Sequence, residues 1–297
     1  MKKRHFSIFA AITVLFSSCF KMQCVDGNQK LENQKRHLST TFSGIELQSA
    51  FEVVLRDNGS DTIEVEAESN LQTSIITEIK NGILIIKTQH GRCIDTHEKV
   101  TIACKLSNIQ DIVLSSSGSI NSELLRNNTL KYIIDGSGDI RISKSIAENT
   151  ECKIDGSGNI SIDSVTSRSI KYTISGSGDL KATNTTCESS TLKINGSGNI
   201  TSKIITNSLD AYIDGSGKIT LSGMVQNAEI SIMSSGNFEG YSFLVKTCNA
   251  AIFGSGDIRI SVSDTINASI NGSGSIKYDG SPIVIKSISG SGSVSKR

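Results

Sequence analysis

With 297 residues, a formal net charge of +1 and 5% aromatic residues, none of them tryptophan, the chain has neither a basic stripe nor an aromatic platform. That combination argues against nucleic acid as a partner and against aromatic sugar cradles. Charged residues of both signs are interspersed, as on an ordinary solvated surface.

The N-terminus reads as an export signal covering residues 1–18. Lys2, Lys3 and Arg4 supply the positive start, and Phe6 to Phe16 is apolar but too short to span a bilayer. Leu15-Phe16-Ser17-Ser18-Cys19 resembles a bacterial lipobox, which makes Cys19 the expected site of lipidation and the first residue of the mature protein. The plainer alternative is ordinary cleavage near Ser18. Residues 19–40 are polar and aperiodic and read as a flexible tether to a membrane. Residues 41–297 then suffice for one large all-β domain.

Within that domain, residues 41–110 alternate apolar and polar positions (Ile45/Leu47, Phe51/Val53/Leu55, Ile63/Val65/Ala67, Val100/Ile102/Cys104) without a repeated motif. They read as irregular first coils and an N-terminal cap, which a solenoid needs to shield its open end. From 111 to 297 a Ser-Gly or Gly-Ser-Gly phrase recurs ten times. Its closing glycines are Gly118, Gly138, Gly158, Gly178, Gly198, Gly217, Gly236, Gly256, Gly274 and Gly292, spaced 18 to 20 residues apart. Four residues before each glycine stands Leu or Ile (Leu114, Ile134, Ile154 and their equivalents). Two residues after it stands Ile, Leu, Phe or Val (Ile120, Leu180, Phe238, Val294). Six before it lie Tyr132, Cys152, Tyr172 and Leu192, with polar residues between.

This is the period-two pattern of strands with one buried face. A further apolar cluster seven or eight residues past the glycine (Ile146, Val165, Ile205, Val225, Leu244) predicts another inward side. The fold class is therefore all-β: a single-domain parallel β-helix, or β-solenoid, with turns of about 20 residues and right-handed winding. Ten coils at about 4.8 Å each give a rod of roughly 50 Å. Glycine at the corner is expected to supply a positive φ. Lys286 in the usually apolar slot, with Pro282 before it, marks a modified C-terminal coil.

The order Phe42-Ser43-Gly44-Ile45-Glu46-Leu47, Ala50-Phe51-Glu52-Val53-Val54-Leu55, Ile63-Glu64-Val65-Glu66-Ala67-Glu68 and Asn81-Gly82-Ile83-Leu84-Ile85-Ile86 resembles the opening of a bacterial family, putative auto-transporter adhesin, head GIN domain. Gly136-Ser137-Gly138-Asp139-Ile140 and its copies resemble that family's repeated core, so the likeness covers about 41–297. The resemblance implies a secreted or lipid-anchored β-helical envelope protein. It brings no catalytic residues with it.

Three chemical readings compete with plain turn structure. Calcium coils of the glycine-aspartate type need a nine-residue period and a carboxylate at every corner; here Ser119, Lys218, Ser275 and Ser293 interrupt the slot. A serine nucleophile needs the Gly-x-Ser-x-Gly elbow and a histidine base, and no histidine lies beyond His97. His90, Cys93, Asp95, His97 and Glu98, with Cys104 nearby, fit no strong zinc spacing and read as a polar hairpin loop. The enzymatic alternative is a carbohydrate-active β-helix enzyme, polysaccharide lyase-like, which would need acids and a base converging in a groove.

The expectation is a non-enzymatic lipoprotein of the bacterial outer membrane, held to the membrane through its lipid and serving as an adhesin or scaffold, with no metal or cofactor. Its candidate surface-binding residues are the corner Asp135, Asp139, Asp155, Asn159, Asp179, Asn199, Asp214 and Asp257, facing glycans or surface proteins. With Cys19 lipidated, six cysteines remain; Cys93 with Cys104 is the expected disulfide, and Cys152 a buried thiol.

Overall fold

A computed structural model describes residues 24–37 and 40–297; the signal segment and Cys19 lie outside the described residues. The described chain is strand throughout, apart from turns and one 3₁₀ turn at Leu106–Asn108. From Asp111 onward each coil lies on the next in parallel register. Ile140 pairs with Ile160 and Ile154 with Ile174 across 20-residue steps. The expected columns at the fourth residue before and the second after each closing glycine are buried in every coil before the last. Isoleucines thus stack on isoleucines in a continuous interior, where β-branched side chains suit the pleated surface. In the last coil Lys286 pairs in register with Ala268 but is exposed.

The coil has three inward runs. In the coil after Gly138 these are Ile140 and Ile142, then Ser145, then Thr150, Cys152 and Ile154, with exposed residue pairs between them where the chain turns. The short side at Ser145, the third side hereafter, is partly polar inside, and hydroxyls bond across the interior. Tyr132 Oη donates to Ser145 Oγ at 2.8 Å, and Thr150–Ser167 and Thr185–Ser202 pair their hydroxyls at 3.0 and 3.1 Å.

The cluster expected to line this side splits. Val165 and Val225 are buried, Ile146 is half-buried, and Ile205 and Leu244 face outward. The cause is register. Ala182 pairs with Ser202, but Thr185 pairs with Ile204, so one residue is missing at the second corner and Ile205 takes an outward slot. A slip of one residue exchanges the two faces of a strand.

The expected positive φ occurs at the opening glycine of later corners (Gly215, Gly254, Gly272 and Gly290), whereas the closing glycines are required for a different reason. The closing glycines have no positive φ. A Cβ built on Gly158 would stand closer than 3.0 Å to the carbonyl oxygen of Gly138 directly below, as in the other coils. The backbone is bonded at the same place. The N–H groups of Ser157 and Gly158 both donate to Gly136 O, at 3.1 and 3.2 Å, and that of Asn159 donates to Gly138 O at 3.1 Å.

At the N-terminal end nine short strands build the cap: β1 (Val25–Asp26), β2 (Leu31–Arg36), β3 (Gly44–Leu47), β4 (Glu52–Asp57), β5 (Ile63–Glu68), β6 (Ile75–Lys80), β7 (Ile83–Thr88), β8 (Ile94–Asp95) and β9 (Val100–Cys104). β3 and β4 sit beneath the first repeat coil, and β7 and β9 sit beneath them, all parallel. Antiparallel strands then close the stack: β6 on β7, β5 on β9, and β2 on β5. β6 reaches β7 through Asn81-Gly82, both at positive φ, as a two-residue hairpin turn requires. The outermost strand, β2, carries Glu32, Lys35 and Arg36, charges that discourage pairing with another sheet.

The stretch expected as a flexible tether is therefore part of the cap over its described residues. Cys24 is disulfide-bonded to Cys93, which corrects the expected Cys93–Cys104 pair. Cys104 instead points into the core at the end of β9, where burial pushes its thiol up to about 12. Glu68, 1% exposed, accepts the N–H groups of Gln29 at 2.7 Å, His97 at 2.9 Å and Glu98 at 3.4 Å. Three backbone donors satisfy a buried carboxylate that would otherwise be costly. Arg36 reaches from the end of β2 to Ile75 O at 2.7 Å and Gln72 O at 3.1 Å.

Two outcomes follow from this packing. Gly158→Ala should lose about 1–3 kcal/mol in a denaturant titration, because backbone rather than a movable side chain blocks the new methyl. Ser157→Ala, on the exposed side of the same corner, should change stability by less than about 0.5 kcal/mol. Equal stabilities for the two would remove the close-contact account. Cys24→Ser should cost about 2–4 kcal/mol, and a reductant that lowers the melting temperature of the parent should have no further effect on the variant.

Candidate functional site

The eight candidate residues form two columns, one on each side of the Gly-Ser-Gly corner. The first column follows the closing glycine: Asp139, Asn159, Asp179 and Asn199 stand on consecutive coils. Asn159 Nδ2 donates to Asp139 Oδ1 at 2.9 Å, and the N–H of Asp179 donates to Asn159 Oδ1 at 3.1 Å. Asn199 donates to Asp179 Oδ1 through Nδ2 at 2.8 Å and through its backbone N–H at 3.2 Å. Carboxylate and amide alternate, so each acceptor meets a donor and no two carboxylates lie on adjacent coils.

The column continues through Lys218 and Asn237 to Asp257, which accepts from Ser275 Oγ at 2.6 Å. The second oxygen of Asp139 accepts from Arg141 at 2.6 Å, and that of Asp257 from Arg259 at 3.0 Å. Much of the hydrogen-bonding capacity in this column is thus spent within the fold.

The second column precedes the corner. Asp135 and Asp155 are exposed on neighbouring coils, and Asp214 lies beside Asn195 farther along. Lys153 pairs with Asp155, and that hydrogen bond holds the lysine above its ordinary value. Past Asp214 the column turns apolar with Met233 and Phe253, both exposed.

The His/Cys cluster does not assemble. Cys93 is in the disulfide, Cys104 faces inward, and His97 Nε2 lies 2.8 Å from Asp26 Oδ1. Among the described residues no three His, Cys, Asp or Glu side chains converge as metal ligands. Titratable groups displaced from their ordinary values are interior thiols and phenols raised by burial (Cys152, Cys248, Tyr132, Tyr172), the half-buried Arg36 lowered by it, and surface members of ion pairs. Glu78, lowered by hydrogen bonds from Lys80 and Lys87, is one of these surface pairs. None of them lines an open groove.

The outer face of the side that carries Ile140 and Ile142 has, farther along the stack, a trough of about 420 Å³ lined by Lys181 and Thr183 on one coil and by Glu239 and Tyr241 three coils on. Thr201, Lys203, Thr220 and Ser222 form its floor. Its one carboxylate, Glu239, is paired with Arg259. A lyase-type centre needs unpaired acids and a base converging on substrate, and this trough offers no such set.

Sequence reasoning missed this trough and the outward Ile205, Met224 and Leu244 beside it. The change from 20-residue to 19-residue spacing at Gly217 was the available signal.

Asn159→Asp should test the alternating ladder. It places carboxylates on three successive coils and removes the amide donor to Asp139. The expected loss is ~0.5–1 kcal/mol near neutral pH. Repulsion disfavours the charged form in the folded state, so the deficit relative to the parent should shrink as pH falls through the carboxylate range. A deficit that stays constant with pH would point to packing alone.

Among curated proteins none matches the chain. Solved structures with the same architecture include a protein described as a "putative adhesin" from Parabacteroides distasonis ATCC 8503. It is 20% identical, with 93% of this chain and all of that one covered, at a TM-score of 0.50. Two others are a "putative lipid binding protein" from the same organism (24% identity, 93% and 100% coverage, TM-score 0.48) and a "putative adhesin" from Parabacteroides merdae ATCC 43184 (21%, 92% and 98%, 0.45). At 20% identity the first of these likenesses concerns the fold alone, and nothing is drawn from the other two. The family model described as putative auto-transporter adhesin, head GIN domain matches residues 41–202 and 188–282. The matched residues take in the β3 and β4 coil, most of the cap and all but the last of the glycine corners, and the chain belongs to the head GIN domain family.

Proposed function

We propose that the chain is a non-enzymatic surface module of the bacterial cell envelope, exported by residues 1–18, anchored through a lipid on Cys19, and adhesive by multivalent display. The observation that carries this reading is the register. Steps of 18 to 20 residues stack the polar corner of one coil on that of the next, so similar outward side chains recur along the body and many weak contacts can add. The family's adhesin description agrees with it. The Cys24–Cys93 disulfide fits a compartment outside the reducing cytosol. Of the corner residues, Asp135 and Asp214 make no side-chain hydrogen bond among the described residues and Asp155 meets only Lys153, which makes these three the better candidates for contact with glycans or surface proteins of other cells. The columns after the glycine serve mainly to hold coil to coil.

Saturable binding of the purified full chain to a glycan array or to isolated surface proteins is the expected result. Asp135→Ala, Asp155→Ala and Asp214→Ala combined should weaken it at least about tenfold, because multivalent contacts multiply. Metabolic labelling with a fatty acid should mark the parent and not Cys19→Ser. No binding across broad arrays would leave a scaffold, and depolymerisation of an acidic polysaccharide would replace the reading with an enzymatic one.

A further inference from the structure

Ile205, Met224 and Leu244 occupy one outward column on three successive coils, with Ile205 paired to Met224 and Met224 to Leu244. They are 46%, 51% and 53% exposed. The same column carries Arg126, the half-buried Ile146, Thr166 and Thr186 on the preceding coils and Ser261 on the next, so three consecutive exposed apolar residues are a local concentration in a mixed column. Nothing in the interior requires it, because Ile204 and Val225 fill the adjacent inward slots. The three side chains form the outer surface of the narrow third side, between two turns of the chain.

Lysines flank the stripe. Lys203 stands two residues before Ile205 at one turn, and Lys246 two residues after Leu244 at the other. Both are exposed, and neither forms an ion pair among the described residues. By contrast, Arg168 near a rim of this face on an earlier coil lies between Glu148 and Glu188 at 3.6 and 3.7 Å. An aliphatic ridge with unpaired lysines at its margins matches an anionic lipid surface. The apolar side chains enter the boundary below the headgroups, and the ammonium groups stay level with the phosphates. A glycan would leave the aliphatic ridge unpaid for, and an acidic peptide offers it no apolar complement as broad as three stacked coils.

We infer that the third side, through Ile205, Met224 and Leu244 with Lys203 and Lys246, is a membrane-facing surface that lays the coil stack along a bilayer containing anionic lipids. In a three-sided coil this side lies opposite the Gly-Ser-Gly corner. The polar columns on either side of that corner would then face away from the bilayer. The inference needs neither the adhesin reading nor the lipid on Cys19, since it rests on side chains of the body itself.

The chain has no tryptophan, so a single introduced one reports its own surroundings. Met224→Trp in the full chain should shift its emission to the blue on vesicles of phosphatidylcholine with phosphatidylglycerol, and brominated lipid should quench it. Tyr212→Trp, on the outer face of another side, should stay in water under the same conditions. In the Met224→Trp background, Lys203→Ala with Lys246→Ala should weaken the transition about thirty-fold at low salt. High salt should weaken the parent likewise.

A Met224→Trp signal that stays water-exposed while flotation shows the protein on vesicles would overturn the inference, as would failure to associate at all. So would equal quenching at both positions. Blue-shifted emission without vesicles, rising with protein concentration, would assign the face to a second copy instead. None of these outcomes touches glycan binding, so the two readings fail separately.

Discussion

The structure depends on one close contact, backbone against backbone at the Gly-Ser-Gly corner. There is no space for a methyl group between the closing glycine of one coil and the carbonyl of the glycine beneath it. Hydrogen bonds tie the same corner, with two N–H groups converging on the carbonyl oxygen of the opening glycine below and a third reaching that of the closing glycine. Because the corner fixes the separation of consecutive coils, the inward side chains on either side of it fall into line. Ile134, Ile154 and Ile174 stack in one column, and Ile140 and Ile160 in another. The interior is the consequence of that spacing as much as its cause. Hydrophobic burial stabilises the stack, but it does not by itself select one register from several, whereas a steric stop does.

The outer surface follows from the same register, and it is solved differently in each column. After the glycine, carboxylate and amide alternate, so the ladder is bonded to itself. Farther round the coil, opposite charges stack. Lys171 lies 2.9 Å from Glu151 one coil below, and Arg259 is paired with Glu239 one coil below. Like residues stacked at a strand spacing would repel if they carried the same charge, and these alternations avoid it. They also set what is left over for partners: the Asp135 and Asp155 pair before the corner, and the aliphatic stripe with its two lysines.

How much of this was legible in the sequence varies from element to element. The two inward columns nearest the corner were plain, because strict alternation and a fixed distance from a glycine identify them without knowledge of the partner strand. The need for glycine was plain as well, but its reason was not. A repeated glycine reads the same whether it supplies a rare φ or clears room for a neighbouring chain 20 residues away. The third side was the least legible. Its inner residues include Ser145 and Thr185, whose hydroxyls are satisfied by Tyr132 and Ser202, so hydropathy does not flag them. One residue lost at the second corner then reverses the faces of Ile204 and Ile205. At the cap, β2 has no buried alternation at all, since it is an edge strand lying on β5, and its sequence Leu31-Glu32-Asn33-Gln34-Lys35-Arg36 resembles a linker. The Cys24–Cys93 bond joins segments whose proximity depends on Glu68 gathering distant backbone groups, a relation with no local trace.

That clamp at Glu68 has a mechanical consequence. Any pull on the body through its N-terminus enters at Cys24, where the chain is covalently joined to Cys93. Tension therefore bypasses the two-residue pairing of β1 with β8 and passes directly into the loop leading to β9, which is itself flanked by β4 and β5. With the disulfide closed, β2 is relieved of load and cannot be peeled from β5 one bond at a time. The covalent link turns the end of the stack into a handle, and the force needed to unravel it is set by the coils behind the cap.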